Sequence, residues 1–426
     1  MSLKPIKIKS VTAREILDSR GQPTIEVSIE TSGGSLVSSS VPAGRSKGRH
    51  EAVELRDGDK RRYRGLGVFN AVHNVTSIIS PKIKNKTISS LPALDKILLS
   101  LDSSKEKKKL GANALLGVSM AGAKAFASEN KLPLYRYLNS AYALPKIKEM
   151  PTPMMNIFNG GRHADTNLDI QELMVIPKRK KLLSERIRMG VEIFYALADV
   201  LKTSGYDTDT GDEGGYSPDI HATTEAIRMI MLAIKDAGYI AGKEVFLAFD
   251  VGASTLYDER MKQYRFKLDA SFYTTRQMIT LYEVWRDEFP LLVLEDGLFE
   301  DDWESWTLLT EHLGKDMLIV GDDLFVSQKE RLLRGIKSKA ANAILIKPNQ
   351  VGTITETMET IKLAHEHKMA VIISHRSGET NDDAIADLSV AAQAQYVKFG
   401  APNRGERVSK YNRLTAIEEE VMHHEE

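Results

Sequence analysis

Two different patterns of apolar and polar residues divide this chain near residue 142. In the first part, TIEVSIET (Thr24 to Thr31) alternates apolar and polar residues as a half-exposed strand does, and Gly33–Gly34 follow it as a hairpin turn. ANALLGVSMAGAKAFASE (Ala112 to Glu129) has the small and apolar residues of a closely packed helix. Three prolines between residues 139 and 153 interrupt this pattern. We therefore expect an N-terminal α+β domain over residues 1–142 and a second domain over residues 143–426.

Short apolar runs alternate with helical patterns throughout the second domain. Six of the runs are EVFLAFD, LLVLED, LIVGDD, AILIKP, AVIISH and QYVKFG, and two earlier ones are PMMNIF and IQELMVI. The two earlier runs are followed by helical stretches at about 183–203 and 221–237. Strands that alternate with helices lie parallel and are joined by right-handed crossovers. The pattern predicts a modified α/β barrel of eight strands.

Each of the six later runs ends on a side chain that can ionise or bind a metal ion. These residues are Asp250, Glu295, Asp322, Lys347, His375 and Lys398. A single strand that ends on Asp needs only a capping role to explain it. In an α/β barrel, however, the carboxyl ends of the strands meet at one face, where active sites are built. Six such ends in succession predict a shared site.

Asp250, Glu295 and Asp322 would bring three carboxylates to this face. Oxygen ligands of this kind favour a hard cation, most simply Mg²⁺. The chain has no cysteine, which excludes disulfides and thiolate metal sites and disfavours zinc. Ion pairs with Lys347 and Lys398 are the structural alternative, and both arrangements can coexist. A lysine whose pKa is lowered by burial and positive surroundings can also remove the proton α to a metal-bound carboxylate.

Composition restricts the class of partner. Lys plus Arg and Asp plus Glu each number 58, so the net charge of zero gives no reason to expect nucleic acid or an acidic membrane surface as a partner. No apolar run is long enough for a membrane span, and MSLKPIKIKS lacks the apolar stretch of a secretory signal. We expect a cytoplasmic enzyme or binding protein.

Ten stretches, in this order, resemble the enolase family. They are REILDSRGQPT, EAVELRDGDK, LGANALLGVSMAGAKA, PMMNIFNGGRHADTNLDIQE, GDEGGYSP, LEDGL, VGDDLFVSQ, ILIKPNQVGT, SHRSGETNDD and KFGAPNRGERVSKYN. The resemblance extends over roughly residues 6 to 420. It implies a modified (β/α)8 barrel of enolase type, ββαα(βα)6, with an N-terminal α+β capping domain.

The resemblance also implies an activity. An enolase is a hydro-lyase that reversibly dehydrates 2-phospho-D-glycerate to phosphoenolpyruvate with Mg²⁺, two ions per active site, one of them tightly held. Asp250, Glu295 and Asp322 match the ligands of the first ion, and Ser46 matches a ligand of the second. A homodimer is implied as well, with Arg14 and Glu26 near the subunit contact.

Further roles follow from the resemblance, residue by residue. Lys347 matches the base that takes the C2 proton, Glu213 the acid that protonates the C3 hydroxyl, and Glu172 its assistant. Asp323 matches the neighbour that orients Lys347. Lys398 matches a catalytic residue that also contacts the substrate. The remaining substrate contacts are His163, Gln171, His375, Arg376, Ser377 and Ser46. On spacing alone, GDEGG is equally a glycine turn with an exposed acid, SGET a helix cap, and His163 a surface loop histidine.

The expected lid, residues 42–51, departs from the family. Its PAGRSKGRHE carries Ala43 where Ser is usual, and Arg45 and Lys47 where small neutral residues are usual. Phe399 follows Lys398 where Thr is usual. The two added cations could attract phosphate and repel a second Mg²⁺, or they could point to solvent. Two alternatives to an enolase follow: a paralogue acting on a related phospho- or phosphono-carboxylic acid, and a non-catalytic enolase-like binding protein. Retention of the catalytic and metal-ligand positions argues against the latter.

Overall fold

The computed structural model describes residues 3–45, 47–179, 182–268 and 270–422. The chain opens with an antiparallel sheet whose strand order is β3-β2-β1-β4. Its strands are β1 (Ile6–Leu17), β2 (Pro23–Thr31), β3 (Leu36–Ser40) and β4 (Thr87–Ile88). In β2 the side chains alternate between buried and half-buried, as the sequence predicts for this stretch.

The first five α-helices cover this sheet. They are α1 (Phe69–His73), α2 (Ser80–Ile83), α3 (Leu91–Leu101), α4 (Ala112–Glu129) and α5 (Leu134–Ala141), with a π-helical turn at Asn74–Ile79. Helix α4 lies between the sheet and α3, and nearly all of it is buried. A Cβ atom at Gly117 would lie 2.6 Å from Cγ2 of Val27, and one at Gly122 would lie 2.4 Å from Cδ2 of Leu94. The small residues of α4 therefore permit close packing on both sides.

The second part of the chain is a closed barrel of eight strands. In chain order its strands are β5 (Thr152–Asn159), β6 (Glu172–Pro177), β7 (Val245–Asp250), β11 (Leu291–Glu295), β12 (Leu318–Gly321), β13 (Ala343–Ile346), β14 (Ala370–Ser374) and β15 (Tyr396–Lys398). Strand β6 is antiparallel to both of its neighbours, and the other pairs are parallel. The predicted modified barrel is confirmed. A small sheet outside it, β8 (Tyr257–Asp258), β9 (Gln263–Phe266) and β10 (Ser271–Tyr273), was not predicted.

Helices surround the barrel and connect its strands. They are α6 (Leu183–Thr203), α7 (Thr223–Asp236), α8 (Thr275–Glu288), α9 (Trp303–Leu313), α10 (Lys329–Ser338), α11 (Ile354–Glu366), α12 (Ala384–Ala391) and α13 (Gly405–Met422). Helices α6 and α7 correspond to the two helical stretches that the sequence predicts between β6 and β7. The proposed domain boundary at residue 142 lies between α5 and β5. Within the described residues, no helix is both long and apolar enough to cross a membrane.

An apolar layer inside the barrel lies directly beneath the polar strand ends. Its members are Met154, Met174, Ile176, Ala248, Val293, Val320, Ala343, Leu345 and Ile372. Side chains two residues apart on a strand point to the same face. Val293 therefore shares its direction with Glu295, Val320 with Asp322, and so on around the barrel. The apolar layer fixes which side chains at the strand ends point to the barrel axis.

A buried carboxylate connects the two parts of the chain. Asp95 on α3 accepts hydrogen bonds from the backbone N and the Oγ1 of Thr355, at 2.9 and 2.5 Å, in the first turn of α11. Asp95 is completely buried, and this burial raises its pKa to about 6. A carboxyl group with a raised folded-state pKa stabilises the fold at low pH and loses that contribution as the pH rises through the raised value.

We predict that Asp95→Asn reduces the pH dependence of stability. In the unmodified chain, the contribution of Asp95 falls by about 2 kcal/mol between pH 4 and pH 7, because its pKa rises from 3.8 to about 6 on folding. Asn does not titrate, so the variant should gain stability relative to the unmodified chain over this range. Urea unfolding of both proteins at pH 4 and pH 7 measures the difference. If the free energy of unfolding changes by the same amount between pH 4 and pH 7 in both proteins, Asp95 does not titrate as described.

Candidate active site

The ammonium group of Lys398 joins the ends of three barrel strands. Its Nζ lies 2.9 Å from Oδ2 of Asp250, 2.9 Å from Oε1 of Glu295 and 3.0 Å from Oε1 of Glu172. The side chains of all four residues are at most 5% exposed. The structure thus brings Asp250, Glu295 and Lys398 together, and it adds Glu172 from the start of the antiparallel strand β6.

Asp322 forms an ion pair with the second lysine of the site, Lys347. Nζ of Lys347 contacts Oδ2 of Asp322, and Nε2 of Gln350 donates to its Oδ1 at 2.9 Å. The resemblance led us to expect that Asp323 orients Lys347. The direct ion pair of Lys347 is with Asp322, while Asp323 interacts with Lys347 through its charge, so an orienting role for Asp323 stays a prediction. The carboxylate of Asp323 lies against the lid, where a Cβ atom at Gly48 would be 2.8 Å from its Oδ1.

Asp296 is a site residue that the sequence reasoning missed. It follows Glu295 with a positive φ of 45°, and its carboxylate accepts hydrogen bonds from the backbone N–H groups of Asp322 and Asp323 at 3.0 and 2.9 Å. The signal in the sequence was the second acid of LEDGL. Asp296 therefore fixes the backbone from which Asp322 projects.

Negative charge exceeds positive charge in this part of the barrel. Burial and the charge of Asp250 raise the pKa of Glu295 well above its usual value. The sequence-based expectation of a lowered lysine pKa supposes positive charge beside the lysine, whereas carboxylates are the nearest charged neighbours of both lysines. Burial lowers the pKa of Lys347, but the charge of Asp322 outweighs burial and the net pKa is raised. Burial likewise lowers the pKa of Lys398, but Asp250, Glu172 and Glu295 together raise it well above its usual value.

The acidic residues suit a hard divalent cation. Asp250, Glu295 and Asp322 lie on three adjacent barrel strands, β7, β11 and β12, and offer only carboxylate oxygens. Among the described residues, two other groups of possible ligands have atoms within 4.8 Å of one another. These are Asp296 with Asp322 and Asp323, and His163 with Glu172 and Glu213. The predicted triad is more widely spaced, because Lys398 lies between its first two members.

Two glutamates and two histidines form one wall of the site, beside the lysines and carboxylates at the strand ends. Nδ1 of His163 lies 3.2 Å from Oε1 of Glu172 and 3.4 Å from Oε2 of Glu213. Nε2 of His375 is 3.7 Å from Oε2 of Glu213. All four side chains are buried. Glu213 is therefore not the exposed acid of a glycine turn, and His163 is not a surface loop histidine.

The two glutamates of this wall differ in protonation. Burial and the charge of Glu213 raise the pKa of Glu172 to about 7. Burial alone would raise the pKa of Glu213, but the neighbouring His163 and His375 hold it well below its usual value. Burial lowers the pKa of His163, but the two glutamates raise it to about 10. Of the two glutamates, Glu172 is therefore the one that binds a proton more readily, and the imidazole of His163 lies between the two carboxylates.

Several buried polar atoms of this wall have no hydrogen-bond partner. They are Oε1 of Gln171, Oε2 of Glu172 and Nε2 of His375. Buried polar atoms are almost always paired in folded proteins, since leaving one unpaired costs free energy. Atoms of this kind are available to form hydrogen bonds with a bound ligand.

The lid rests on the loop that follows β14. Ala43 and Gly378 exchange backbone hydrogen bonds of 2.8 and 2.9 Å, and the backbone N of Arg45 donates to Oγ of Ser377 at 2.8 Å. The guanidinium of Arg376 forms a two-pronged ion pair with Glu51, at 3.0 and 3.2 Å. Helix α12 begins only at Ala384, so SGET does not cap it directly. The predicted ligand Ser46 lies outside the described residues.

The two unusual cations of the lid pair with carboxylates of the protein. Nη1 of Arg45 is 2.9 Å from Oδ2 of Asp212, and Nζ of Lys47 is 2.8 Å from Oε2 of Glu54. Neither cation is left to solvent alone, as one of our two alternatives supposed. Phe399 is completely buried and packs beside Tyr411 of α13, with ring centroids 6.1 Å apart. Its ring thus belongs to the layer between barrel and helices.

We predict that Gly44→Ala loosens the lid. A Cβ atom at residue 44 would lie 1.8 Å from Nη2 of Arg376, so either the lid or the Arg376 guanidinium, with its ion pair to Glu51, must shift. Trypsin should then cut after Arg45 and Lys47 at least about tenfold faster, because the open population governs cleavage. Mass spectrometry of the fragments measures the rate. Gly405→Ala is the control, since a Cβ atom there has no neighbour closer than 4.0 Å. Equal cleavage of Gly44→Ala and the control would contradict the lid contact.

Comparison with known protein families agrees with this architecture. Residues 8–138 match the family described as "Enolase, N-terminal domain", and residues 147–426 match "Enolase, C-terminal TIM barrel domain". The two matches together cover nearly the whole chain, in the order that the fold shows. The chain therefore belongs to the enolase family.

Proposed function

We propose that this chain is an enolase, a Mg²⁺-dependent hydro-lyase that reversibly converts 2-phospho-D-glycerate to phosphoenolpyruvate and water. One observation carries the proposal. In the closed barrel, β13 and β6 are four strands apart and so lie across the mouth from each other. Lys347 follows β13, and Glu172 begins β6 next to Glu213. A base and a proton donor on opposite sides of one site suit the removal of H and OH from adjacent carbons.

The remaining residues suit a phosphorylated carboxylic acid. Arg376, Ser377 and the lid around Ser46 would hold the phosphate, since a guanidinium binds phosphate oxygens in a two-pronged manner. Lys398 would neutralise the substrate carboxylate. His163, Gln171 and His375 would contact the hydroxyl end, where the unpaired polar atoms lie.

Asp250, Glu295 and Asp322 would hold the first Mg²⁺, and Ser46 would contribute to the second. When bound, Mg²⁺ would offset the excess of carboxylate charge, lower the pKa of both lysines and stabilise negative charge on the substrate carboxylate. The fit rests on the oxygen-only donor set and on the raised pKa of Glu295, which shows that its negative charge is poorly compensated.

The proton transfers follow from the positions of the side chains. Lys347, as the free amine, takes the proton from C2, and the C–H electron pair moves toward the adjacent carboxylate, where Lys398 offsets the charge. The electron pair then forms the C2–C3 double bond as the C3 hydroxyl leaves. The Glu172–Glu213 pair supplies the proton that turns this hydroxyl into water. Glu213 would be the donor, and His163, which lies between the two carboxylates, would connect it to Glu172, whose pKa is the higher of the two.

The activity is tested directly by the ultraviolet absorbance of phosphoenolpyruvate formed from 2-phosphoglycerate. We expect turnover that is lost when Mg²⁺ is chelated and restored when it is added back. Asp322→Asn should lower activity strongly, because it removes both a metal ligand and the partner of Lys347. A protein that is folded, binds Mg²⁺ and yet forms no product would contradict the proposal.

We predict that substitution of the base, Lys347, and substitution of the acid, Glu213, impair different steps of the reaction. Lys347→Ala should abolish exchange of the C2 proton with solvent, measured by NMR in deuterated water. Glu213→Gln should retain that exchange while dehydration falls by about 10²–10⁴-fold, the usual contribution of a general acid. If both variants lose exchange to the same extent, the assignment of base and acid is wrong.

The altered lid favours a second candidate, a paralogue that acts on a related phospho- or phosphono-carboxylic acid. Arg45 and Lys47 are specific features of this lid, although both are paired with Asp212 and Glu54. Weak turnover of 2-phosphoglycerate that rises several-fold in the double variant Arg45→Ala, Lys47→Thr would support the paralogue. Absence of both turnover and Mg²⁺ binding would leave a non-catalytic binding protein.

Assembly and location are part of the proposal. We propose a cytoplasmic homodimer. Arg14 and Glu26 pair with each other across β1 and β2, with Nε of Arg14 2.7 Å from Oε1 of Glu26. The side chain of Arg14 remains 74% exposed, so it can still contact a partner subunit.

A further inference from the structure

A groove of about 690 Å³ lies at the end of the barrel opposite the candidate active site. It is formed where the segment before β5, the start of α6 and the end of α13 meet. Much of its surface is apolar and comes from Ile147, Met150, Leu182, Val421 and Met422. None of the residues that line the groove belongs to the candidate active site.

Arg186 forms part of the groove wall and is only 4% exposed. Its Nη1 donates to the carbonyls of Met150 and Pro151, each at 3.3 Å, and to Oγ1 of Thr152 at 3.0 Å. Its Nε is buried without a hydrogen-bond partner. The guanidinium is thus held by neutral acceptors and is incompletely satisfied.

Arg186 differs in this respect from the other buried cationic side chains of the described ranges. Each of the others has a carboxylate within 4.0 Å, whereas Arg186 has none there. The others are Lys107, Lys347, Arg376, Lys398, Arg407 and Lys410. A buried charge without a counter-ion is unfavourable, and an arginine cannot relieve this by losing its proton. An anion in the groove would supply the missing counter-charge.

The neighbouring carboxylates supply it only in part, since burial lowers the pKa of Arg186 and outweighs Glu418 and Glu149, which raise it, so that the net pKa is lowered. Glu418 directs its oxygens to the backbone N–H groups of Leu183 and Ser184, at 2.7 and 3.4 Å, and so caps α6. The first turn of α6, which contains Arg186, adds the partial positive charge of a helix N-terminus. Arg179, on another wall of the groove, is 44% exposed and pairs with Glu149 at 2.6 Å.

We propose that this groove binds an organic anion with one negative charge and a short apolar body, such as a medium-chain carboxylate. The carboxylate contacts Arg186 and Arg179, and the apolar body covers the apolar lining. Glu149 and Glu418 lie beside the groove and repel a second negative charge, which disfavours phosphate dianions. Because the groove is at the opposite end of the barrel, this ligand does not compete with the substrate.

Ligand-observed NMR with hexanoate tests the proposal, with hexan-1-ol and inorganic phosphate as comparison probes. We expect hexanoate to bind, and hexan-1-ol and phosphate to bind at least about tenfold more weakly, since charge-assisted hydrogen bonds contribute strongly in a partly buried site. Arg186→Met should weaken hexanoate by a similar factor. Arg188→Met is the matched control, because Arg188 is half exposed on the same helix and pairs with Glu185 and Glu192.

A second variant keeps the test decisive if Arg186→Met does not fold. Arg179→Gln changes an exposed side chain and should weaken hexanoate about threefold, as expected for an exposed charge. Equal hexanoate binding by the unmodified chain, Arg186→Met and Arg179→Gln would overturn the proposal, as would phosphate binding as tight as that of hexanoate. Turnover of 2-phosphoglycerate is measured in parallel, so that failure of the groove proposal is distinguished from failure of the proposed function.

Sedimentation of the same proteins tests the alternative that a second copy of this chain, instead of a small anion, covers the groove. If Arg179→Gln changes the subunit number and hexanoate does not bind the unmodified chain, the groove is a contact between copies of this chain and the proposal is wrong. Unchanged sedimentation together with hexanoate binding supports the ligand site.

Discussion

The excess of buried carboxylate charge at one end of the barrel is the constraint on which the site depends. Glu172, Asp250 and Glu295 surround a single ammonium, that of Lys398, and Asp322 is paired with Lys347. Carboxylates at such short spacing, away from water, are unfavourable unless cations lie among them. The two lysines provide part of that compensation, and the raised pKa of Glu295 shows that it is incomplete. A site of this kind has affinity for further positive charge.

The scaffold makes this concentration of charge possible. The apolar layer inside the barrel sets the direction of the side chains above it, and the backbone N–H groups of residues 322 and 323 are held by Asp296. The lid closes the other side through Ala43, Arg45 and Glu51, whose partners all lie in the barrel. The charged side chains beneath the lid are buried, so each of their charges acts more strongly than it would in solvent.

The sequence predicts the barrel because its signal is repeated. Each strand is a short apolar run, and each run ends on a polar residue that the closed sheet brings to the same face, as with Asp250, Glu295 and Lys398. The wall of glutamates and histidines is harder to derive, since Glu213 and His163 lie in loops whose path depends on the whole fold. Their candidacy came from the resemblance to the enolase family. The small sheet at β8–β10 was missed because its strands have only two to four residues.

Other features depend on geometry that no pattern of residues contains. Two adjacent aspartates look equivalent in LIVGDDLFV, yet the register of β12 directs Asp322 to the barrel axis and Asp323 to the lid. The pKa of Lys347 depends on whether a carboxylate or a cation is its nearest neighbour, and the structure places Asp322 there. Arg186 likewise shows its lack of a counter-ion only when α6 is packed against the start of β5.

The most direct test of this account is the position of a divalent ion in crystals grown with Mn²⁺ and examined by anomalous scattering. The account predicts one strong peak bonded to oxygens of Asp250, Glu295 and Asp322, with Nζ of Lys398 displaced from its present place between the first two. A peak at Asp296, Asp322 and Asp323 instead, or no peak near any of these strand ends, would contradict it.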